Sequence, residues 1–213
     1  NGLTVNSGVT LTLPAGIIIK LDASSLQVNG TLLSQGTAIN PVYLTSIKDD
    51  SVGGDTNNDG TATNPAGGDW ASLNINTQTA NLGQVNLTHT ILRYGGSNPG
   101  NSYRGILVLY HTAVAVLDHV TIANSGTEGI KFYSSSSNAN PQLTIQNSII
   151  ENNGTFGISD YSIGLTPLLQ INITNSIIRN NASSGIYITA PNSTTITNSS
   201  IYGNFNYGVY NGN

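Results

Sequence analysis

The chain has 213 residues, with six Lys or Arg against ten Asp or Glu and a formal net charge of −4. Charged residues make up 8%, against about 25% in ordinary soluble domains, so a nucleic-acid partner is not expected and Asn, Thr, Ser and Gly must cover the surface. No apolar run reaches the roughly 18 residues of a membrane span, and the absence of cysteine excludes a disulfide framework and thiol chemistry.

Residues 1–47 read as short strands. Leu3-Val5, Val9-Leu11-Leu13, Ile17-Ile19-Leu21, Leu26-Val28 and Val42-Leu44 alternate with polar partners, broken by Gly8, Pro14-Ala15-Gly16, Gly30 and Gly36. Period-two alternation rich in Ile, Val, Thr and Leu marks strands with one buried face. Leu3 to Leu26 is a step of 23 residues and Ile17 to Val42 a step of 25.

Residues 48–69, KDDSVGGDTNNDGTATNPAGGD, break that rhythm as an inserted loop. The loop holds five of the ten acids: Asp49, Asp50, Asp55, Asp59 and Asp69. Asp55-x-Asn57-x-Asp59-Gly60 places oxygen ligands at alternate positions before a turn-forming Gly, the first half of a calcium loop. The bidentate Glu expected at the twelfth position is replaced by Ala66. Two readings fit. One is a structural calcium site completed by Asp49, Asp50 or Asp69 folding back; the other is a solvated acidic turn. Trp70, the single Trp, is expected to cover the loop base.

From residue 70 onward the strands return and the chain repeats itself. His119-Val120-Thr121-Ile122, Asn147-Ser148-Ile149-Ile150, Asn175-Ser176-Ile177-Ile178 and Asn198-Ser199-Ser200-Ile201 are each followed by a Gly and a β-branched residue. Those glycines, at 129, 157, 185 and 208, are 28, 28 and 23 residues apart. Self-similarity at such a period signals a stacked repeat, in which no unit buries its apolar face alone. The segments between the marks, such as Leu143-Thr144-Ile145 and Ile171-Asn172-Ile173, are strand-like, so the expected fold is an all-β parallel β-helix forming one domain over 1–213. An inward column of Ile17, Val42, Leu73, Ile106, Ile130, Ile158, Ile186 and Val209 predicts about eight rungs, or roughly 38 Å of axis at about 4.8 Å per rung.

Stacking in register would align His89, His119, Asn147, Asn175 and Asn198 in one column and Asn124, Asn152 and Asn180 in another. Asn tolerates left-handed backbone geometry, so both columns read as turn ladders. His89 and His119 could in principle share a metal, but no third ligand is apparent. Glu151 and Arg179 fall one rung apart and should form an exposed ion pair. Asp160 would point inward, which requires either a strand bulge or a hydrogen-bonded carboxylate at the core edge.

The segments LTVNSGVTLTLPAGIIIKLDASSLQVNGTLLSQGTAINPVYLTS, NSIIENNGTFGI and NSIIRNNASSGI resemble the right-handed parallel β-helix repeats of secreted and cell-surface microbial proteins, whose fold is shared with pectin-degrading enzymes. The resemblance implies the fold over nearly the whole chain, not a function. Polygalacturonase-like signatures (Gly-His-Gly, Arg-Ile-Lys) are absent. The acids outside the insert, Asp22, Asp118, Glu128, Glu151 and Asp160, are scattered, and Arg93, Arg104 and Arg179 lack the setting of a lyase base. A non-enzymatic protein is expected.

Seven Asn-x-Ser/Thr triplets, at Asn29, Asn86, Asn153, Asn172, Asn181, Asn192 and Asn198, are candidate glycan acceptors in a secreted protein. With no Met and no Cys, they favour an extracellular or cell-surface location. Tyr133 with Tyr161, and Tyr187 with Tyr210, form aromatic pairs that could stack on surface glycans or simply pad a sheet. Leu3-Thr4-Val5 strands at once and Gly208-Val209-Tyr210 still repeats near the end, so the chain is expected to be an excised piece or fragment of a longer solenoid, or a subunit stacking end to end. The expected function is a structural segment of a microbial surface filament, stalk or adhesin. The alternative is a carbohydrate-binding or polysaccharide-degrading β-helix.

Overall fold

The computed structural model describes residues 2–76, 82–97, 105–134, 139–162 and 168–212. Each of the first seven rungs contributes one strand to each of three parallel sheets, and the eighth contributes one strand to the first sheet. The first sheet stacks Leu3–Val5, Leu26–Val28, Leu73–Ile75, Leu107–Tyr110, Ile130–Ser134, Ile158–Ser162, Ile186–Ile188 and Val209–Asn211. The second stacks Thr10–Pro14, Thr31–Gln35, Gln84–Thr88, Val114–Asp118, Gln142–Gln146, Leu169–Thr174 and Asn192–Thr197. The third stacks Ile18–Leu21, Val42–Ser46, Thr90–Arg93, Thr121–Ala123, Ile149–Glu151, Ile177–Arg179 and Ser200–Tyr202. The chain therefore winds as a parallel β-helix with eight rungs along its longest sheet. Each strand takes its partners from the turns before and after it, so the sheets form without any hairpin.

The inward column needs correcting. Register along the first sheet runs Leu3, Leu26, Leu73, Leu107, Ile130, Ile158, Ile186 and Val209. Ile17 lies just before a third-sheet strand, and Val42 begins another. A step of one rung length connects equivalent positions in any of the three sheets, so spacing alone cannot say which sheet a strand joins. Ile106 is also buried, but Leu107 is the residue that pairs with Ile130.

Inside the tube, apolar layers alternate with polar ladders. Val28, Leu44, Leu73, Leu87, Ile122, Ile130, Ile158 and Ile186 are fully enclosed. At the corner before the third sheet, Val120 N donates to Ser148 Oγ (3.0 Å), Ser148 N to Ser176 Oγ (3.1 Å) and Ser176 N to Ser199 Oγ (3.1 Å). At the corner after it, Ser125 N donates to Asn153 Oδ1 (3.1 Å), and the main-chain N–H and amide of Asn153 both reach Asn181 Oδ1. Asn181 repeats that geometry onto Asn204. A corner buries main-chain N–H groups that the sheets do not pair, and these ladders supply their acceptors.

The turn columns adopt the left-handed geometry expected of them. His89, His119, Asn147, Asn175 and Asn198 have φ between 42° and 55°, and Asn124, Asn152 and Asn180 lie at 54–55°. In the second column, Gly203 (φ 66°) takes the place of Asn on the next rung. The close approach of successive rungs excludes side chains at Gly157, where a Cβ would sit 2.6 Å from Gly185 O.

Asp160 does point inward, beside Phe132 in register, and the strand does not bulge. Its carboxylate accepts from the main-chain N–H groups of Thr189 (2.7 Å) and Ala190 (3.0 Å) and from the Thr189 hydroxyl. It closes the corner after the strand Ile186–Ile188.

Candidate functional site

The acidic excursion leaves the third sheet after Ser46 and rejoins the tube at Trp70, whose indole is fully buried and donates to Arg93 O at 2.9 Å. Gly95 packs on the ring so closely that a Cβ there would lie 2.6 Å from it. Trp70 thus seals the base of the loop, as its position suggested.

The six residues proposed as metal ligands separate into two groups. Asp49 is buried and bonded to Arg93, whose Nε and Nη2 approach Oδ2 at 2.8 and 2.6 Å, and it also accepts from Thr45 and Ser51. The Arg93 guanidinium lies 5.4 Å from the ring centres of both Tyr43 and Tyr94. Burial pushes the Asp49 carboxyl up, but the bonds from Ser51, Thr45 and Arg93 outweigh it and leave the group below its ordinary value. Asp69 is likewise engaged, accepting from Lys48 Nζ (2.8 Å), Ser46 Oγ (2.7 Å) and Ala66 N (2.9 Å). Of the six candidate ligands, Asp49 and Asp69 are thus the two engaged by Arg93 and Lys48, and they fasten the loop to the solenoid.

Asp50, Asp55, Asn57 and Asp59 form the other group. One carboxylate oxygen from each of Asp50, Asp55 and Asp59 lies within 4.8 Å of the others. Asp55 accepts from the main-chain N–H groups of Asp59 (3.1 Å) and Gly60 (2.8 Å), which curls the loop around it. Asn58 (φ 56°) and Gly60 (φ 69°) supply the required left-handed turns. Asn57 Nδ2 donates to Asp59 Oδ2 at 2.8 Å, which leaves the amide oxygen outside that bond. Oδ1 of Asp50, of Asn57 and of Asp59 is each shielded from solvent and accepts no hydrogen bond. Oxygen donors gathered this way suit a hard divalent cation. A cavity of about 250 Å³ adjoins them, lined by Lys48, Asp50, Ser51, Thr61, Asn64 and Tyr94 among others.

The aromatic candidates also divide. Tyr133 and Tyr161 stack in register at 6.1 Å, but Tyr133 is only 7% exposed and cannot serve as a platform for a ligand. Tyr187 and Tyr210 stack at 4.6 Å, with Phe156 5.0 Å from Tyr187 and Tyr207 5.5 Å from Tyr210. Spacing along the chain identified the pairs but missed Phe156 and Tyr207, which reach the stack from neighbouring turns.

His89 and His119 stack face to face at 4.4 Å, and His119 Nδ1 lies 2.8 Å from Asp118 Oδ1. Glu151 and Arg179 form the expected pair, at 2.7 Å. Arg104 lies outside the described residues.

Among the glycan acceptors, Asn29, Asn153 and Asn181 are buried. The amides of Asn153 and Asn181 are bonded within the corner ladder. No glycan fits on these three, which corrects that expectation. Asn192 is half-buried and donates to Ala190 O and Asn211 Oδ1, whereas Asn86, Asn172 and Asn198 are exposed.

A family model described as "Right handed beta helix region" matches residues 97–213. The match covers more than half of the chain, and the pairing of every described rung agrees with it: the chain belongs to the right-handed β-helix family. No curated protein and no solved structure matches it.

Proposed function

We propose that this chain is a structural protein of the cell exterior, a stiff β-helical segment of a microbial surface filament, stalk or adhesin. The observation that carries this reading is where the buried polar groups point. Ser148, Ser176, Asn153 and Asn181 all hydrogen-bond from one rung to the next. Side chains used this way stiffen the axis and leave the interior to the scaffold. The chain in this reading catalyses no reaction. Its partners are neighbouring solenoid segments or further copies along the axis, because a rung offers the same parallel pairing to its successor whichever chain supplies it.

Antibodies raised against the purified chain should label surface structures of intact source cells in the electron microscope. Label confined to the cell interior would overturn the reading. Negative-stain images of the purified protein should show rods in multiples of one unit length as concentration rises, and dispersed single units at all concentrations would rule out end-to-end association.

A carbohydrate-binding role is a second reading, favoured by the four-ring cluster of Phe156, Tyr187, Tyr207 and Tyr210. Rings with exposed faces stack on sugars. A glycan array probed with the native chain and with Tyr187→Ala and Tyr210→Ala variants tests it. Signals lost in both variants would support it, and signals absent from the native chain would remove it.

A further inference from the structure

We propose that the acidic excursion holds one calcium ion between Asp50, Asp55, Asn57 and Asp59. Three oxygens of the loop have nothing to bind. Oδ1 of Asp50, Asn57 and Asp59 is in each case hidden from solvent and accepts no hydrogen bond. A shielded acceptor without a donor has lost its water and gained nothing in return. Three such atoms in one short loop call for a shared partner.

Charge points the same way. Oxygens of Asp50, Asp55 and Asp59 crowd within 4.8 Å of one another, and like charges that close repel unless a cation lies between them. Calcium takes oxygen ligands at about 2.3–2.6 Å, so donors on opposite sides of the ion stand about 5 Å apart. The cluster fits inside that span. The donors are carboxylate and amide oxygens only, a set suited to calcium and not to zinc or copper. Magnesium demands a tighter octahedron and surrenders its water reluctantly, so this flexible loop should prefer the larger ion.

The loop is shaped before any ion arrives. The main-chain N–H groups of Asp59 and Gly60 hold the Asp55 carboxylate, while Asp59 Oδ2 accepts from Asn57 and from Thr63. The remaining oxygens of Asn57 and Asp59 are left for the cation. Asp50 comes from the other end of the excursion, and its neighbour Asp49 is locked to Arg93. The ion therefore ties the middle of the loop to its root on the third sheet. Lys20 adds a second tie by donating to Gly54 O.

The test uses the full chain, freed of metal with a chelator and dialysed. Calcium chloride titrated into it in a calorimeter should show a single site. Terbium should luminesce when tyrosine is excited, since Tyr94 lines the same cavity as Asp50. Proteolytic cleavage within residues 50–63 should slow when calcium is added. Asp50→Asn and Asp59→Asn should each weaken binding by about tenfold or more, because each removes a charged ligand. Asp69→Asn, altering a carboxylate bonded to Lys48 instead, should leave affinity within about twofold. Circular dichroism checks that each variant keeps its β-sheet signature. Absence of calcium binding by the folded native chain would overturn the proposal. So would affinity unchanged in Asp50→Asn and Asp59→Asn, or magnesium binding as tightly as calcium.

Discussion

Asn153 and Asn181 sit one above the other on successive rungs. Both the main-chain N–H and the side-chain amide of Asn153 donate to Asn181 Oδ1, at 3.2 and 2.9 Å. Both residues are 1% exposed. Asn181→Ala removes the acceptor of two buried donors, and the loss should be about 3 kcal/mol, since a stranded buried group forfeits its desolvation as well as its bond. Urea unfolding of native and variant chains measures it. A loss below about 0.5 kcal/mol would mean the ladder is incidental.

The exposed turn column at the opposite corner should behave differently. Asn175 has φ 51° within a column of like residues. Asn175→Gly should be nearly neutral, because glycine enters that region without strain. Asn175→Val should cost about 1–2 kcal/mol, the price of left-handed geometry for a side chain branched at Cβ. Thermal melting of the two variants side by side gives the comparison, and equal melting temperatures would contradict it.

The Asp49–Arg93 pair is the strongest clamp on the excursion. Arg93→Met leaves a carboxylate, 1% exposed at its side chain, without its cation, and should destabilise the chain by about 3–5 kcal/mol. The pair also governs behaviour in acid. Burial raises the Asp49 carboxyl, but Ser51, Thr45 and Arg93 together bring it below its ordinary value. Burial also raises the Asp69 carboxyl, but Lys48, Ala66 N and Ser46 together bring it below its ordinary value. A group depressed in the folded state adds stability above its unfolded value, about pH 4, and loses it as pH falls through the folded value. Melting temperature should therefore drop below about pH 4, and Asp49→Asn should make that drop shallower.

His111 should act in a separate range. It is 5% exposed, its Nδ1 has no hydrogen-bond partner, and burial lowers its pKa by disfavouring the charged ring. The unfolded chain then takes up a proton before the folded one does. Stability should be complete above about pH 6.5 and decline as pH falls from there through the lower folded value. His111→Asn tolerates the positive φ of 51° at this position and has no proton to gain. Its stability should be flat where that of the native chain declines, as denaturant titrations at stepped pH would show.

Much of this was legible in the sequence because an in-register parallel coil turns distance along the chain into contact. A step of 28 residues sets Asn147 above His119 and Arg179 above Glu151, so period, turn columns and aromatic pairs could all be read by counting. Counting could not say that Ile17 and Leu3 belong to different sheets, since both recur with nearly the same step. Nor could it separate Asp49 from Asp50, neighbours of which one is bonded to Arg93 and the other gathers with Asp55 and Asp59.

Composition and period by themselves determined that the chain coils into a β-helix, because only stacking can bury strands this short. The tertiary structure alone decided how each polar residue is used. Ser148 and Asn153 look like surface residues until the corner encloses them, and the triplet at Asn153 looks like a glycan acceptor until its amide is seen bonded to the next rung. The reason is geometric: a side chain's environment depends on which way its corner bends and on what the adjacent rung presents, and neither is contained in the spacing of residue types.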